Sequence, residues 1–250
     1  MAVTSLHFDG PMVAGGLSYQ VDELLAAPGP AGLPTGVEWI DQMTGGLAPG
    51  SLWTVLGATG VGVTTFATRL ATATATATAA AATGTVILAN GHVPTRSLAR
   101  QAQQAAGRLG QTEVQPPSSL PRLASWLPLP NLGDDSWDGD CERADVVVLD
   151  TWDEMWRPEH WDNTREQRLA SLRWLREVAR RNRTALVLTG RLPHGSPGAP
   201  RPDMHWAVEP FDDVADVNVW LDWSDGGSPT RVATVRVRGG GSARNRLPAA

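Results

Sequence analysis

The chain has 250 residues, 42% of them hydrophobic, and a formal net charge of -5 at pH 7. This length favours one sizeable domain with its own core and excludes two full domains joined by a linker. The acidic balance excludes a surface that is cationic throughout, so any phosphate-binding face has to be local.

Cysteine usage and hydropathy bear on the compartment of the protein. The single cysteine, Cys141, excludes an internal disulfide framework and fits a reducing compartment. The sequence has no run of about 18 apolar residues that would predict a transmembrane helix. It also lacks a basic segment followed by an apolar run at its start. We therefore expect a cytoplasmic protein with no membrane partner.

The first elements follow a Gly-, Pro- and Ala-rich stretch. Residues 1–34 predict an arm or linker with one short helix at Tyr19–Ala27, and residues 35–250 predict one domain. An apolar strand, Leu52–Gly57, runs into a glycine-rich turn and then an Ala/Thr segment, Phe66–Ala82. The ATATATAT alternation is compatible with a strand because Thr is β-branched. Its alanine content and its place after a glycine turn favour a helix.

Strands and helices then alternate along the chain. Residues 111–143 interrupt this order and predict an irregular surface excursion. Because the strands are apolar and β-branched, the pattern predicts an α/β fold with a mostly parallel twisted sheet and helices on both faces. The predicted elements are strand Thr85–Asn90, helix Pro94–Arg108, strand Ala144–Asp150, helix Thr164–Arg181, strand Ala185–Gly190, and closing strands Ala215–Trp223 and Thr230–Arg238.

The glycine-rich turn has the spacing of a phosphate-binding loop. Such a loop needs small residues so that successive N–H groups point at phosphates, and the next helix adds its positive end. The pattern expects Lys and then Ser or Thr after the last Gly, but Val63 holds the Lys position and Thr64 follows. A glycine-rich turn without a ligand is the alternative. The candidate nucleotide-binding residues are Gly57, Ala58, Thr59, Gly60, Val61, Gly62, Val63, Thr64 and Thr65.

A second element of a nucleotide site is an acidic residue at the end of a buried strand, where it holds a metal directly or through water. Asp150 follows the apolar run VVVL and fits this position. A strand-end Asp can also cap a helix or form a turn. The combination of Thr64 and Asp150 predicts a site for ATP with Mg²⁺.

Residues 32–52, GLPTGVEWIDQMTGGLAPGSL, resemble the segment that leads to the P-loop in the motor domains of DnaB-type replicative helicases. In that family the segment carries threonine-glycine, leucine-aspartate and glycine-glycine-leucine. The resemblance continues with gaps to about Arg246, except in residues 111–143. It implies a RecA-like P-loop NTPase core that binds ATP and Mg²⁺, assembles with itself or with another RecA-like ATPase, and acts on single-stranded DNA.

Carried over residue by residue, the resemblance assigns roles on both sides of a subunit interface. It makes Thr64 the magnesium-binding hydroxyl and Asp150 the Walker B carboxylate. It places His92 where the family has the glutamate that activates water, and Arg191 where it has a sensor glutamine. With Val63 in place of the lysine, it implies slow or absent hydrolysis.

Arg236 and Arg238 are similar to the family's lysine-x-arginine-x-glycine signature, which reaches the nucleotide of a neighbouring subunit. All 21 basic residues of the chain are arginine, so an Arg at the first position follows the general bias. Ala215, Asp216 and Val217 match the family's fourth motif. The alternative for the two arginines is a solvated edge strand, where alternating Arg is ordinary.

The DNA contact and the tryptophans are less specific. Arg191–Arg201 is the candidate DNA-binding segment, and a plain surface loop is an equal alternative. Trp152, Trp156 and Trp161 favour core or interface packing over base stacking, because acidic residues surround them.

Three functions are compatible with these observations. The first is a DnaB-like ATP-binding protein of DNA metabolism. The second is a non-catalytic RecA-fold module that supplies arginines to an active ATPase, and the third is a RecA-like recombination or regulatory paralogue.

Overall fold

A computed structural model describes residues 32–58, 60–80, 85–90, 93–108, 122–124, 144–150, 165–192, 214–223 and 231–247. Several sequence predictions lie outside these residues: the arm before residue 32 with its helix at Tyr19–Ala27, Thr59, His92, the three clustered tryptophans and most of Arg191–Arg201.

The described residues form one eight-stranded sheet. Its strand order is β3-β2-β4-β5-β1-β6-β7-β8, in which β1 to β6 are parallel and the last two pairings are antiparallel. The strands are β1 Leu52–Ala58, β2 Val86–Asn90, β3 Arg122–Ala124, β4 Val146–Asp150, β5 Ala185–Leu192, β6 Val217–Trp223, β7 Arg231–Val237 and β8 Ser242–Arg246.

Four helices among the described residues cover the sheet on its two faces. They are α1 Glu38–Thr44, α2 Val63–Ala80, α3 Thr95–Arg108 and α4 Arg165–Asn182. Ile40, Leu70 and Leu98 of the first three helices pack in one buried cluster. Leu172 and Leu175 of α4 pack in a second cluster, against the alternate residues of the same strands. The central strands are therefore apolar on both sides, as the sequence predicts.

The Ala/Thr repeat is a helix, as predicted. Several of its buried hydroxyls bond to the preceding turn: Thr72 donates to the carbonyl of Thr68 at 2.7 Å and Thr78 to that of Ala75 at 3.0 Å. Thr74 donates to the carbonyl of Leu70 at 2.9 Å and to that of Pro34 at 2.8 Å. Alanine and back-bonded threonine thus make a buried helix that packs closely against the sheet.

The predicted fold class is confirmed, and the structure adds three elements. These are α1, β3 inside the 111–143 excursion, and β8. Because β8 pairs with β7, with Arg236 opposite Ser242, the interpretation of Arg236 as part of an edge strand is wrong. Shifts of a few residues at element ends are the other differences, and α2 begins at Val63 rather than at Phe66. Among the described residues, no helix combines the length and apolar character that crossing a membrane requires.

The segment before β1 is fixed to the domain through α1. Asp41 accepts hydrogen bonds from the backbone N–H of Thr35 at 2.9 Å and from its hydroxyl at 2.8 Å. Leu33 and Leu47 bridge each other through their backbones at 3.0 and 2.8 Å. The residues that carry the family resemblance therefore form a tightly bonded lead-in to the first strand.

Candidate nucleotide-binding site

The glycine-rich turn and Asp150 lie at the same edge of the sheet, where the parallel strands end. Ligands of open α/β sheets bind at this carboxyl edge. Asp150 is the last residue of β4, and only β5 separates β4 from β1. Leu149 pairs with Leu188, so Asp150 is level with Thr189, and Thr189 pairs with Val55. The end of β1 that leads into the turn is therefore two strand spacings, about 10 Å, across the sheet from Asp150.

The glycines of the turn adopt conformations that larger residues disfavour. Gly60 and Gly62 have φ angles of 86° and 95°, in the left-handed region. At Gly57 a Cβ would lie 2.6 Å from Cγ1 of Val61 and 2.9 Å from Cγ2 of Val63. The turn therefore folds back tightly over the end of β1, which only a glycine at this position permits.

Helix α2 starts directly from the turn. The backbone N–H of Phe66 donates to the carbonyl of Gly62 at 2.9 Å, which is the first bond of the helix. The N–H groups before Phe66 have no partner within the helix and carry its positive end. Such an arrangement of glycine turn and helix start suits an anion of phosphate size.

The structure explains what Val63 does in place of a lysine. Val63 is 7% exposed and belongs to the apolar cluster beneath α1 to α3. Its side chain therefore contributes packing and no charge to the turn. Thr64 is half-buried and Thr65 is exposed at the start of the same helix.

Asp150 lies in a closed polar group at the strand ends. It is 0% exposed, and its two carboxylate oxygens accept hydrogen bonds from the side-chain amide of Asn90 and the hydroxyl of Thr189, both at 2.5 Å. Asn90 also accepts a hydrogen bond from the backbone N–H of Val93 at 2.6 Å. This network fixes the carboxylate through neutral donors.

Sequence reasoning missed Asn90 and Thr189. Asn90 is the last residue of β2 and pairs directly with Asp150, so it stands at the strand end where the resembled family carries its water-activating motif. His92, which the sequence analysis put in that role, lies outside the described residues. The signal was present, because ILAN, VVVLD and ALVLT each end an apolar strand with a polar residue. Neighbouring parallel strands bring such ends together.

Arg191 lies beside the turn, and its sensor role stays a prediction. It is exposed on β5 and pairs in register with Gly57. The structure thus brings Arg191, Asp150 and the described residues of Gly57–Thr65 to one edge of the sheet.

Arg236 and Arg238 lie at the opposite edge. Arg236 pairs with Asn218, the second residue of β6, and both arginines are exposed. The backbone N–H of Arg238 donates to the carbonyl of Asp216 at 2.8 Å, and its Nη1 lies 3.4 Å from the carbonyl of Val214. Since β7 is about 20 Å long, these guanidinium groups do not share an edge with their own chain's turn.

Asp216 anchors that opposite edge. It accepts from the backbone N–H of Leu52 at 3.0 Å and pairs with Arg176 at 2.5 Å. Burial raises the pKa of the Asp216 carboxyl above its usual 3.8, and the Leu52 N–H and Arg180 offset part of this rise. The motif of Ala215, Asp216 and Val217 therefore ties the start of β6 to β1 and α4.

Arg231 is a further cation at the carboxyl edge that sequence reasoning did not single out. It begins β7, opposite Trp223, and its Nη1 lies 2.6 Å from the point that a Cβ on Gly62 would occupy. No spacing rule connects the two positions, because the contact depends on how β7 returns along β6.

The donor set fits magnesium only together with a phosphate. The described residues contain no group of three or more His, Cys, Asp or Glu side chains that could hold a metal. Magnesium commonly keeps several waters and uses one or two protein oxygens plus phosphate. Thr64 and Asp150 could supply such oxygens at this edge.

Solved structures show the same fold. The ATPase domain of another protein aligns with a TM-score of 0.68 at 15% identity, covering 96% of this chain and 95% of that one. A DnaB-like replicative helicase, described with its interactions with primase, aligns with a TM-score of 0.69 at 14% identity over 94% of this chain. The chain spans 66% of that helicase's length. The RadB recombinase aligns with a TM-score of 0.53 at 20% identity, covering 86% of this chain and 96% of that one.

The fold is therefore that of RecA-like P-loop NTPases, as the resemblance to DnaB-type motor domains implies. A comparison with curated proteins gives no match. The family profile described as an AAA domain matches residues 29–196, which is more than half of the chain. The chain belongs to the AAA-domain family.

Proposed function

We propose that the chain is a DnaB-like, RecA-fold ATP-binding protein of DNA metabolism in which hydrolysis of its own nucleotide is slow or absent. The observation that carries this proposal is the glycine turn at the carboxyl edge. Gly60 and Gly62 keep the left-handed backbone of a phosphate cradle, while Val63 is buried in the core. The turn thus combines the glycine conformations of a phosphate-binding loop with a valine where the motif expects lysine.

Binding of ATP would rest on the backbone of the turn. The N–H groups at the start of α2 would hold the phosphates, and Thr64 and Asp150 would hold Mg²⁺ through a hydroxyl and through water. Bound magnesium would neutralise phosphate charge. Because Asp150 is held by Asn90 and Thr189, its carboxylate keeps a fixed direction through neutral donors.

Slow hydrolysis is expected because Val63 brings no charge to the phosphates and His92 takes the position at which the resembled family has its water-activating glutamate. A general base has to accept a proton from the attacking water. Asn90, at the end of β2, donates its amide to Asp150 and therefore positions this carboxylate rather than activating water. Loss of a base costs about 10²- to 10⁴-fold in rate.

The second candidate function is a subunit that acts on a neighbour's nucleotide. Arg236 and Arg238 are exposed at the edge away from their own turn, and this position favours the role in trans that the resemblance implies. An arginine supplied by a neighbour is worth about 10³- to 10⁵-fold in NTPase rate. The two candidates are compatible, since one chain can bind ATP weakly and serve a partner.

Single-stranded DNA and a RecA-like ATPase subunit are the partners that we propose. Arg191, at the carboxyl edge, is the basic residue of the candidate DNA-binding segment that lies within the described part of the chain. Two phosphate contacts per subunit would add up around an oligomer, and the resulting affinity would fall steeply with salt. The alignment to the DnaB-like helicase has the higher TM-score, 0.69 against 0.53, although the identity to RadB is higher, 20% against 14%. The choice over the recombinase alternative therefore rests on the resemblance of residues 32–52 to the DnaB-type segment.

The test is a titration of the purified chain with ATP and Mg²⁺ together with a turnover assay. We expect saturable binding at one site and turnover at least about 100-fold below the roughly 10 per second that is typical of enzymes. Val63→Lys should tighten binding, because a lysine at the helix start adds charge at the phosphates. Val237→Lys is the matched control, since it places a lysine at a half-buried valine of the opposite edge.

Two outcomes would contradict the proposal. If ATP with Mg²⁺ gives no saturable binding to the unmodified chain, the ATP-binding function is wrong. If the chain turns ATP over at ordinary helicase rates, the assignment of a degraded site is wrong.

A further inference from the structure

The guanidinium of Arg231 reaches the glycine turn from another strand. A Cβ placed on Gly62 would meet Nη1 of Arg231 at 2.6 Å, Cζ at 3.7 Å and Cδ at 3.8 Å. At Gly60 no atom of the described residues lies within 4 Å of the corresponding point. The side chain of Arg231 therefore approaches the turn at one specific glycine, with its nitrogen nearest.

The backbone of Arg231 is held on both sides, so the side chain starts from a fixed point. Arg231 pairs with Trp223 of β6, and its carbonyl accepts a hydrogen bond from the N–H of Leu247 at 2.9 Å. The strand pairing places it two residues beyond Leu221, which is level with Gly57. Arg231 thus projects from the same edge at which the turn begins.

Gly62 is the last glycine of the turn and precedes the helix start. A glycine at such a position lets the backbone approach a phosphate closely, because no Cβ intervenes. A guanidinium nitrogen beside this glycine would be able to donate to a phosphate oxygen that the adjacent N–H groups bind. This nitrogen lies beside the turn. In the turn itself, the buried Val63 fills the position at which the motif expects a lysine.

Arginine is suited to this task. Its guanidinium stays charged at all physiological pH values and presents a planar fork that matches phosphate oxygens. The chain is acidic overall, at -5, so a local cation is needed to hold a triphosphate. A second one, Arg69 of α2, lines the same cleft as Arg231.

That cleft lies between α2, α3 and the start of β7. Its volume is about 190 Å³, and Thr65, Gln101 and Gln104 line it together with Arg231. This is smaller than the roughly 300–1,000 Å³ of small-molecule sites, so the cleft does not hold a whole nucleotide.

We propose that Arg231 supplies, from β7 of the same chain, the phosphate-binding cation that the turn lacks at Val63. The ligand class is a nucleoside triphosphate, and the guanidinium holds its β- and γ-phosphate oxygens. This inference rests on the proposed ATP binding. It makes Arg231 a binding residue of the chain's own site, in contrast to Arg236 and Arg238.

The experiment measures binding of ATP with Mg²⁺ and of inorganic tripolyphosphate to the full chain and to Arg231→Ala and Arg231→Lys. We expect Arg231→Ala to weaken both ligands by about 10- to 100-fold and Arg231→Lys to retain part of the affinity. Arg173→Ala, at an exposed arginine of α4, is the matched control and should leave both affinities unchanged. Thermal unfolding of each variant separates loss of the fold from loss of the cation.

A double substitution distinguishes a phosphate contact from a structural role. Val63→Lys in the Arg231→Ala background should restore most of the lost affinity, because it returns a cation to the turn by another route. If the unmodified chain binds ATP and Arg231→Ala binds it equally or more tightly, Arg231 is a packing residue or a plug and the inference is wrong. If the unmodified chain binds neither ligand, the proposed function fails, and this inference fails with it.

Discussion

The two ends of β7 place arginines at opposite edges of the sheet. Arg231 begins the strand and lies against Gly62 of the turn, whereas Arg236 and Arg238 lie near its far end beside Asn218 and Asp216. One antiparallel strand therefore carries cations toward two different sites. The comparison teaches that a strand far away in sequence can bring a cation to a glycine turn whose own sequence has Val63 where the motif expects lysine.

The two edges also differ in how their polar groups are held. At the carboxyl edge Asp150 is 0% exposed and bonded to neutral Asn90 and Thr189. At the amino edge Asp216 is partly exposed and bonded to a cation, Arg176. The carboxylate of Asp150 is thus held by neutral donors, whereas that of Asp216 is held by a charged one.

The largest effect that we expect on stability is at the carboxyl edge. Asn90→Ala removes a donor from the buried carboxylate of Asp150 and should lower the free energy of unfolding by about 2–3 kcal/mol, because the bond involves a charged group. Chemical denaturation measures this loss.

Asn218→Ala is the matched control at the amino edge. Asn218 is 2% exposed and Asn90 is 3% exposed, but Asn218 accepts its 2.5 Å hydrogen bond from the neutral hydroxyl of Thr54. Its loss should cost about 1 kcal/mol. An equal or larger loss for Asn218→Ala would contradict the difference that we draw between the edges.

A smaller, pH-dependent effect is expected at Asp216. Asp216→Asn puts an amide NH2 beside the guanidinium of Arg176 in place of a carboxyl oxygen and should cost about 1 kcal/mol in the free energy of unfolding. Because burial raises the pKa of Asp216 above 3.8, the folded state binds its proton more tightly than the unfolded state. The stabilisation that the Asp216 carboxyl gives to the unmodified chain is therefore fully present below pH 3.8. It is lost as the pH rises through the pKa of this carboxyl in the folded state.

The deficit of Asp216→Asn should accordingly be largest in acid and shrink above the folded pKa. Denaturation of both chains across this pH range measures the difference. A deficit that instead grows with rising pH would mean that the ion pair outweighs burial and that the pKa of Asp216 is lowered.

The smallest effect is expected at Arg238. Arg238→Ala should change the ATP affinity of its own chain by less than about twofold and the free energy of unfolding by no more than about 0.5 kcal/mol, since the side chain is exposed. The titration is made at a concentration where light scattering shows monomers. A tenfold loss under these conditions would mean that the amino-edge arginines contact their own nucleotide.

Much of this fold could be predicted from local sequence. The apolar runs before Gly57, Asn90 and Asp150 gave parallel strands, because their residues suit burial on both faces. The helix over the Ala/Thr repeat was predicted from alanine content and the preceding glycine turn. The β8 strand, SARNR, could not be found in this way, since all five residues are exposed and its pairing depends on β7.

Part of the site could also be predicted from local sequence. Glycine spacing and a strand-end carboxylate are local signals, so the turn and Asp150 were found. Asn90 and Thr189 carry the local signal of a polar residue at the end of an apolar strand. Arg231 meets the turn through a contact with a residue far away in the chain, and no local pattern marks it. That the sequence-predicted residues bind the nucleotide is a proposal, and the binding experiments test it.

The most direct measurement is a structure of the chain with a non-hydrolysable ATP analogue and Mg²⁺. We predict that the triphosphate lies on the N–H groups around Gly62, with the Arg231 guanidinium on its oxygens and magnesium near Thr64 and Asp150. An analogue bound elsewhere, with the turn free of phosphate at saturating concentration, would contradict the account.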